Sequence, residues 1–226
     1  MGEASRTKAL LAWSSGKDSA WTLHVLRREH PEIEVVGLLT TVNQAFDRVA
    51  MHAVRRELLA AQAAAVGLPL LTVEIPYPCS NAEYEAAMAA AMDRARGDGV
   101  TAVAFGDLFL EDVRRYREDR MRGTGLEPLF PIWGVPTDVL ARRMIDGGLR
   151  ARLTCIDPRK LPAAFAGRDF DAALLADLPP EIDPCGERGE FHSFAYDGPM
   201  FAGAVAIRAG EVVERDGFVF ADLLPA

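Results

Sequence analysis

The chain has 226 residues, half of them hydrophobic, and a formal net charge of −8. That is enough apolar material for one large domain, or one domain with a smaller appendage. The acidic balance excludes a general electrostatic attraction to nucleic acid, although it allows a local basic patch. The three cysteines, Cys79, Cys155 and Cys185, lie far apart with no C-x-x-C pair. This argues against a disulfide framework or zinc site and reads each as a small buried apolar residue. No basic-then-apolar leader opens the chain, and no run of about 18 apolar residues occurs, so a cytoplasmic protein without a membrane span is expected. Lysine and arginine together number 25, and only Lys8, Lys17 and Lys160 are lysines. With the abundant alanine, that bias suggests a GC-rich, bacterial source and sets Lys17 apart from a routine surface lysine.

The first element is the apolar run 10–13, which reads as a strand buried on both faces of a parallel sheet. A small hydroxylated loop follows, Ser14-Ser15-Gly16-Lys17-Asp18-Ser19. Ala20, Leu23, Val25 and Leu26 then recur with helical spacing. A helix starting here presents unpaired N–H groups and the positive end of its dipole, a ready anion site. Lys17, read as standing on an exposed loop, adds a mobile positive charge, and the serine hydroxyls can donate to phosphate oxygens. The plainer alternative is that Asp18 or Ser19 merely caps the helix. The loop is not a Walker A sequence, and no G-x-G-x-x-G is present.

A second strand is expected over 33–39, with 40–43 as the loop at its end. A long helix is expected over 48–66, stopped by Gly67-Leu68-Pro69. Strand 70–75 follows. Ser80 and Glu83 then form a capping box for a helix reaching about Arg96. Strand 102–105 closes on Gly106-Asp107 and leads to a helix through Arg122. Four strand–helix units imply an α/β, Rossmann-like parallel sheet with helices on both faces and right-handed crossovers. Loops 14–19, 40–43 and 106–107 then gather at one rim, where such sheets bind ligands. The character changes near Pro128, Pro131 and Pro136. The reading is two parts: residues 1–126 as a nucleotide-binding domain and 127–226 as a smaller α+β substrate domain. In the second part Thr137 caps a helix to 145, 149–156 is strand-like, a short helix lies within 165–178, and short strands fall at 202–207, 212–215 and 218–220.

The loop Ser14–Ser19 closely resembles the PP-loop, Ser-Gly-Gly-x-Asp-Ser, of ATP pyrophosphatases and the wider adenine nucleotide alpha hydrolase-like group. Ser15 stands where that consensus has glycine, a costlier residue if the bend needs an unusual backbone angle. Cys185-Gly186-Glu187-Arg188-Gly189-Glu190-Phe191-His192-Ser193-Phe194 resembles the Gly-Glu-x-Gly-Glu-(Phe/Tyr)-x-(Thr/Ser)-Phe motif of the diphthine–ammonia ligase family. Gly106-Asp107 matches that family's Gly-Asp, and Pro131-Ile132-Trp133-Gly134 matches its Pro-Leu-Trp-Gly. The resemblance covers almost the whole chain.

The resemblance implies an ATP-dependent amide-forming ligase. ATP adenylates a carboxylate, pyrophosphate leaves, and ammonia displaces AMP. ATP and Mg²⁺ are the implied cofactors, with Asp18 and Asp107 as candidate ligands for the hard metal ion. Ser14 to Ser19, Thr40, Gly106 and Asp107 are implied to hold the nucleotide. Lys17, Asp18, Glu187, Glu190 and His192 are implied for catalysis. Glu190 and His192 share one side if 190–194 is a strand, where they can handle the proton of ammonia. His52, Arg114, Arg117, Trp133, Gly186 and Gly189 are implied for the acceptor. Arg114 and Arg117 share a helix face and suit a carboxylate or phosphate clamp. Plainer readings stand beside these: a solvated charged face for the arginines, a polar turn before an edge strand for Glu187 and Glu190, and structural roles for His52 and His192. The expected partners are a small-molecule or protein carboxylate and ammonia, without nucleic acid or membrane, and the sequence allows a homo-oligomer. Diphthine is a modified histidine of an archaeal and eukaryotic elongation factor, so a bacterial source calls for another carboxylate. Two alternatives remain: a nucleotide sensor without turnover, and sulfur transfer to tRNA, which the acidic charge and missing C-x-x-C disfavour.

Overall fold

The structure, a computed structural model, describes residues 6–43, 48–49 and 54–226. Strand β1 (Thr7–Ala12) leads through the serine-rich loop into helix α1 (Lys17–Glu29), then to β2 (Ile33–Asn43). After the short β3 (Arg48–Val49) come α2 (Arg56–Val66), β4 (Leu70–Ile75), α3 (Asn81–Gly97), β5 (Ala102–Ala104) and α4 (Glu111–Met121). Strand β6 (Glu127–Leu129) completes a parallel sheet in the order β4-β2-β1-β5-β6, with β3 added antiparallel to β2. The strand order reverses between β1 and β5, which makes the carboxyl ends of these two strands the switch point.

Strand alternation sends Leu10, Leu39 and Val103 to one face, into a core shared with Met92, Ala95 and Met121. Leu11, Leu38 and Ala104 face the other way, into a core with Leu23, Leu26 and Leu59 that continues into the second sheet. Helices thus cover both faces, as four strand–helix units require. Among the described residues no helix is long and apolar enough to cross a membrane.

Several expected boundaries move. Residues 40–43 are strand rather than loop, because β4 is shifted along β2 and pairs with Thr40 to Asn43. Helix α2 begins at Arg56, and 48–49 form strand instead. Strand β6 was hidden by Pro128, which an edge strand tolerates. Ser80 and Glu83 do form the capping box of α3.

The rest of the chain builds an antiparallel sheet around α5 (Thr137–Asp146): β7 (Arg150–Ile156), β8 (Phe191–Asp197), β9 (Ile207–Arg215) and β10 (Phe218–Pro225), in the order β8-β7-β10-β9. A short helix, α6 (Ala172–Asp177), lies between β7 and β8. Thr137 does not cap α5; that position falls to Pro136, and the Thr137 hydroxyl donates instead to Asp183 at 2.9 Å. The β9–β10 turn, Asp216-Gly217, has positive φ at both residues, the geometry of a tight hairpin. The two parts meet at Gly147, where a Cβ would lie 2.4 Å from the Trp21 ring and 2.8 Å from the Arg143 carbonyl. Gly147→Ala therefore overpacks this contact and is expected to cost about 1–3 kcal/mol, read as a lower urea midpoint at unchanged slope.

Candidate active site

The chain leaves β1 at the switch point and bends sharply. Ser15 has φ of 70°, in the left-handed region that costs a serine more than a glycine. Gly16 is the N-cap of α1 and offers no side chain, so neither Asp18 nor Ser19 caps the helix. The Gly16 N–H donates to Ser14 Oγ at 3.3 Å, Ser14 and Ser19 hydroxyl oxygens lie 3.2 Å apart, and the Ser19 hydroxyl donates to the Gly16 carbonyl at 3.0 Å. The Lys17 N–H donates to Ser193 Oγ of β8 at 3.2 Å. Asp18 and Ser19 follow as the second and third helical residues, whose N–H groups have no intrahelical acceptor. Gly106, at the exit of β5, packs on this first turn; a Cβ there would lie 3.1 Å from Ser19 N. Its missing side chain lets the two strand exits close on each other.

An open cleft of about 1160 Å³ runs from this loop past the ends of β2 and β4 to the facing sides of α3 and α4. Ser14, Gly16, Lys17, Asp18 and Ser19 line it, as do Thr40, Gly106, Asp107 and Arg117. From the second part come Gly186, Glu187, Gly189 and His192. The fold thus brings together in space most of the residues singled out in three distant stretches.

Four depart from expectation, and a fifth lies outside the described residues. Ser15 is wholly buried and does not line the cleft. Glu190 is 3% exposed, also lies off the cleft, and accepts the Asp183 N–H at 3.3 Å. It precedes β8, so the two-residue alternation of a strand does not extend from His192 back to it. Arg114 stacks on Phe130 and Trp133 and pairs with Glu118 at 2.8 Å, and neither Arg114 nor Trp133 reaches the cleft. His52 lies outside the described residues.

Lys17 is not on an exposed arm. It is 2% exposed, with its ammonium donating to the Cys185 carbonyl and to Asp18 Oδ2 (2.8 Å), between the Phe170 and Phe191 rings. Burial by itself lowers its pKa, but Asp18 beside it, with smaller help from its other neighbours including Glu187, outweighs that and holds the ammonium above its ordinary range. Burial raises the Asp18 carboxyl against the pull of Lys17, and Asp18 Oδ1 is buried without a hydrogen-bond partner. Burial also pushes Glu187 up to about 7, opposed by the Leu108 N–H that reaches its Oε1 at 2.9 Å and reinforced by the charges of Asp18 and Asp107. Burial, with the Lys17 charge adding, pushes the His192 imidazole down to about 4. Asp107 faces Arg117 at 3.4 Å, and the Arg117 guanidinium lies over Phe105.

Sequence reasoning missed three organisers. Asp183 is buried and accepts the Cys185 N–H at 2.7 Å, the Glu187 N–H at 3.4 Å and the Thr137 hydroxyl, so it shapes the turn that presents Glu187. Its Asp-Pro start was a readable turn signal. Ser193 stood in the matched motif but its partner, the Lys17 N–H, was not readable, and Gln62 carried no local signal, because their partners are distant in the chain.

Among the described residues no group of three or more His, Cys, Asp or Glu could hold a metal by itself. The orphaned Asp18 Oδ1 beside the hydroxylated loop does fit a magnesium ion carried in with a nucleotide, since that ion takes one or two carboxylates plus phosphate oxygens.

A hydroxylated, glycine-capped helix start at the switch point of a parallel sheet defines a nucleotide-binding α/β protein. Comparison with known families makes this specific. The chain belongs to the diphthamide synthase family: residues 7–128 match the diphthamide synthase N-terminal domain and residues 136–220 its C-terminal domain. It is 25% identical over 237 residues to human diphthine–ammonia ligase, covering 96% of this chain and 88% of the human one. The Bos taurus diphthine–ammonia ligase is 24% identical over the same shares. The Schizosaccharomyces pombe enzyme of that name is 28% identical over 118 residues, half of this chain and 20% of its own length.

Lys17→Ala would leave the Asp18 carboxylate and the Cys185 carbonyl without their buried partner. It is expected to lower stability by about 3 kcal/mol in urea titration as well as to disturb the loop. His192 gives a pH signature. Between about 4 and its ordinary 6.5 the unfolded chain binds a proton that the folded chain does not, so stability falls as pH drops through that window. The loss amounts to about 1–3 kcal/mol. Glu187 works in the opposite sense, holding its proton up to about 7 in the folded chain. Urea midpoints of the parent and His192→Gln across pH 4–7 isolate the histidine part, which the variant should lack.

Proposed function

We propose that this chain is an ATP-dependent ligase that adenylates a carboxylate, releases pyrophosphate and transfers ammonia to the acyl group. The carrying observation is the left-handed bend at Ser15, which starts α1 with the N–H groups of Asp18 and Ser19 at the switch point beside the cleft. The activity for which the relatives are named, ammonia ligation to diphthine, supports the reaction type.

In this reading the first-turn N–H groups and the hydroxyls of Ser14 and Ser19 hold the β- and γ-phosphates and stabilise the charge that develops as pyrophosphate departs. An acceptor carboxylate oxygen attacks the α-phosphorus, and the bond to the bridging oxygen of pyrophosphate breaks. The nitrogen of ammonia then attacks the acyl carbon, the bond to AMP breaks, and the released proton passes to Glu187. Asp18 and Asp107, with the phosphates, would hold a magnesium ion, which would supply charge neutralisation. Thr40 lines the stretch of cleft assigned to the nucleoside. Arg117 supplies positive charge for the acceptor or the α-phosphate, and residues 127–226 form the substrate-binding part, entering the cleft through Gly186, Glu187, Gly189 and His192. The acceptor is a carboxylate on a small molecule or a protein.

Exchange of labelled pyrophosphate into ATP, measured over a panel of carboxylates, tests the reading. Acceptor-dependent exchange, followed by AMP release when ammonium is added, is expected. Tight ATP binding with no exchange for any carboxylate would favour a nucleotide sensor. Because Glu187 accepts a proton only when ionised, amidation at fixed free-ammonia concentration should rise with pH through about 7. Glu187→Gln should remove that rise and lower the rate about 100-fold or more while ATP still binds, as rates and ATP titration will show.

A further inference from the structure

Gln62 lies wholly buried in the middle of α2, within a run of alanines. Its amide touches three elements. Oε1 accepts from the Trp13 indole N–H at 2.9 Å; Nε2 donates to the Ser15 carbonyl at 3.0 Å and to the Ala195 carbonyl at 2.5 Å. The orientation is forced, because an indole N–H only donates and a backbone carbonyl only accepts. The Ala195 N–H of β8 also donates to the Ser15 carbonyl, at 2.9 Å, so that oxygen is held from two sides.

Ser15 needs such a hold. Its φ of 70° is a conformation serine leaves readily when unconstrained, and its own hydroxyl is buried without a hydrogen-bond partner, so the side chain does nothing to fix the bend. The geometry points to Gln62 as the positioning residue of this site: its amide locks Ser15 in the left-handed bend and so aims the first turn of α1 at the anion. The inference rests on the phosphate-site reading above, and it adds that a residue of α2, remote in sequence and out of contact with the cleft, sets nucleotide affinity. It also accounts for how a serine serves where the PP-loop consensus has glycine: the constraint that glycine does not need comes from elsewhere in the fold.

A double-mutant cycle on the full chain, with Mg–ATP as the probe, tests this. Gln62→Met keeps an unbranched side chain of similar length but none of the three hydrogen bonds. It is expected to weaken Mg–ATP binding about tenfold or more in the parent, but less than about threefold when combined with Ser15→Gly, because glycine populates the bend unaided. Amide hydrogen exchange of residues 16–19 without nucleotide should follow the same pattern, faster in Gln62→Met and slowed again in the double variant. Equal losses in both backgrounds, or a lowered melting temperature with unchanged Mg–ATP affinity, would overturn the inference and leave Gln62 a core-filling residue. Should the parent bind no Mg–ATP, the phosphate-site reading falls, and the exchange pattern alone decides whether Gln62 holds the bend. Should Gln62→Met not fold, Gln62→Glu replaces it. A protonated glutamic acid can still donate to one carbonyl, whereas an ionised one faces two carbonyls with nothing to give. Its Mg–ATP affinity should therefore fall more steeply than the parent's from pH 5 to 8, and a profile parallel to the parent's would count as overturning.

Discussion

Two N–H groups converge on the carbonyl oxygen of Ser15, one from the Gln62 amide and one from the backbone of Ala195. Everything distinctive about the site follows from that meeting. The first part of the chain supplies the bend, and β8 of the second sheet supplies half of what holds it. An edge strand normally leaves backbone groups unpaired; here β8 is the edge of its sheet, and its Ala195 N–H is spent on the loop while Ser193 takes the Lys17 N–H. The proposed nucleotide site and the junction of the two sheets are therefore one structure, and the continuous core through Leu11, Trp13, Ile156 and Phe194 is its apolar counterpart.

The same junction explains the electrostatics. The turn carrying Glu187 has its backbone tied together by Asp183, and at this junction Lys17 is buried while Asp18 and His192 are half-buried. A buried ammonium is tolerated because a carboxylate, a carbonyl and two aromatic rings surround it. The like charges of Asp18 and Asp107 near Glu187 help to keep its carboxyl protonated up to about 7, a range suited to exchanging a proton with an amine. Lys17 in turn disfavours a second positive charge on His192. One packing event thus sets three titrations.

Family membership and physical reading meet at the loop and the 185–194 signature, and they part at individual side chains. Trp133, carried by a matching motif, and Arg114, placed on the helix after Gly106-Asp107, form a stacked cluster with Phe130 away from the cleft. That cluster sits where β6 leaves the parallel sheet and packs this exit against α4. Arg117, one turn on, faces the cleft beside Asp107 instead.

The sequence alone determined what depends on near neighbours: the apolar run of β1, the hydroxylated helix start, the capping box of α3, and the alternation of strands and helices that leads to a parallel sheet. It also marked Ser15 as a place where backbone conformation would matter, and φ there is indeed positive. Only the tertiary structure decided the burial of Lys17, the separation of Glu190 from His192, the extension of β2 along a shifted β4, and the roles of Gln62, Asp183 and Ser193. Most of these depend on a partner dozens to nearly two hundred positions away, as in the Lys17–Ser193 and Ser15–Gln62 bonds. Periodicity and turn chemistry report the local backbone, whereas burial and hydrogen-bond partnership arise only when distant segments pack.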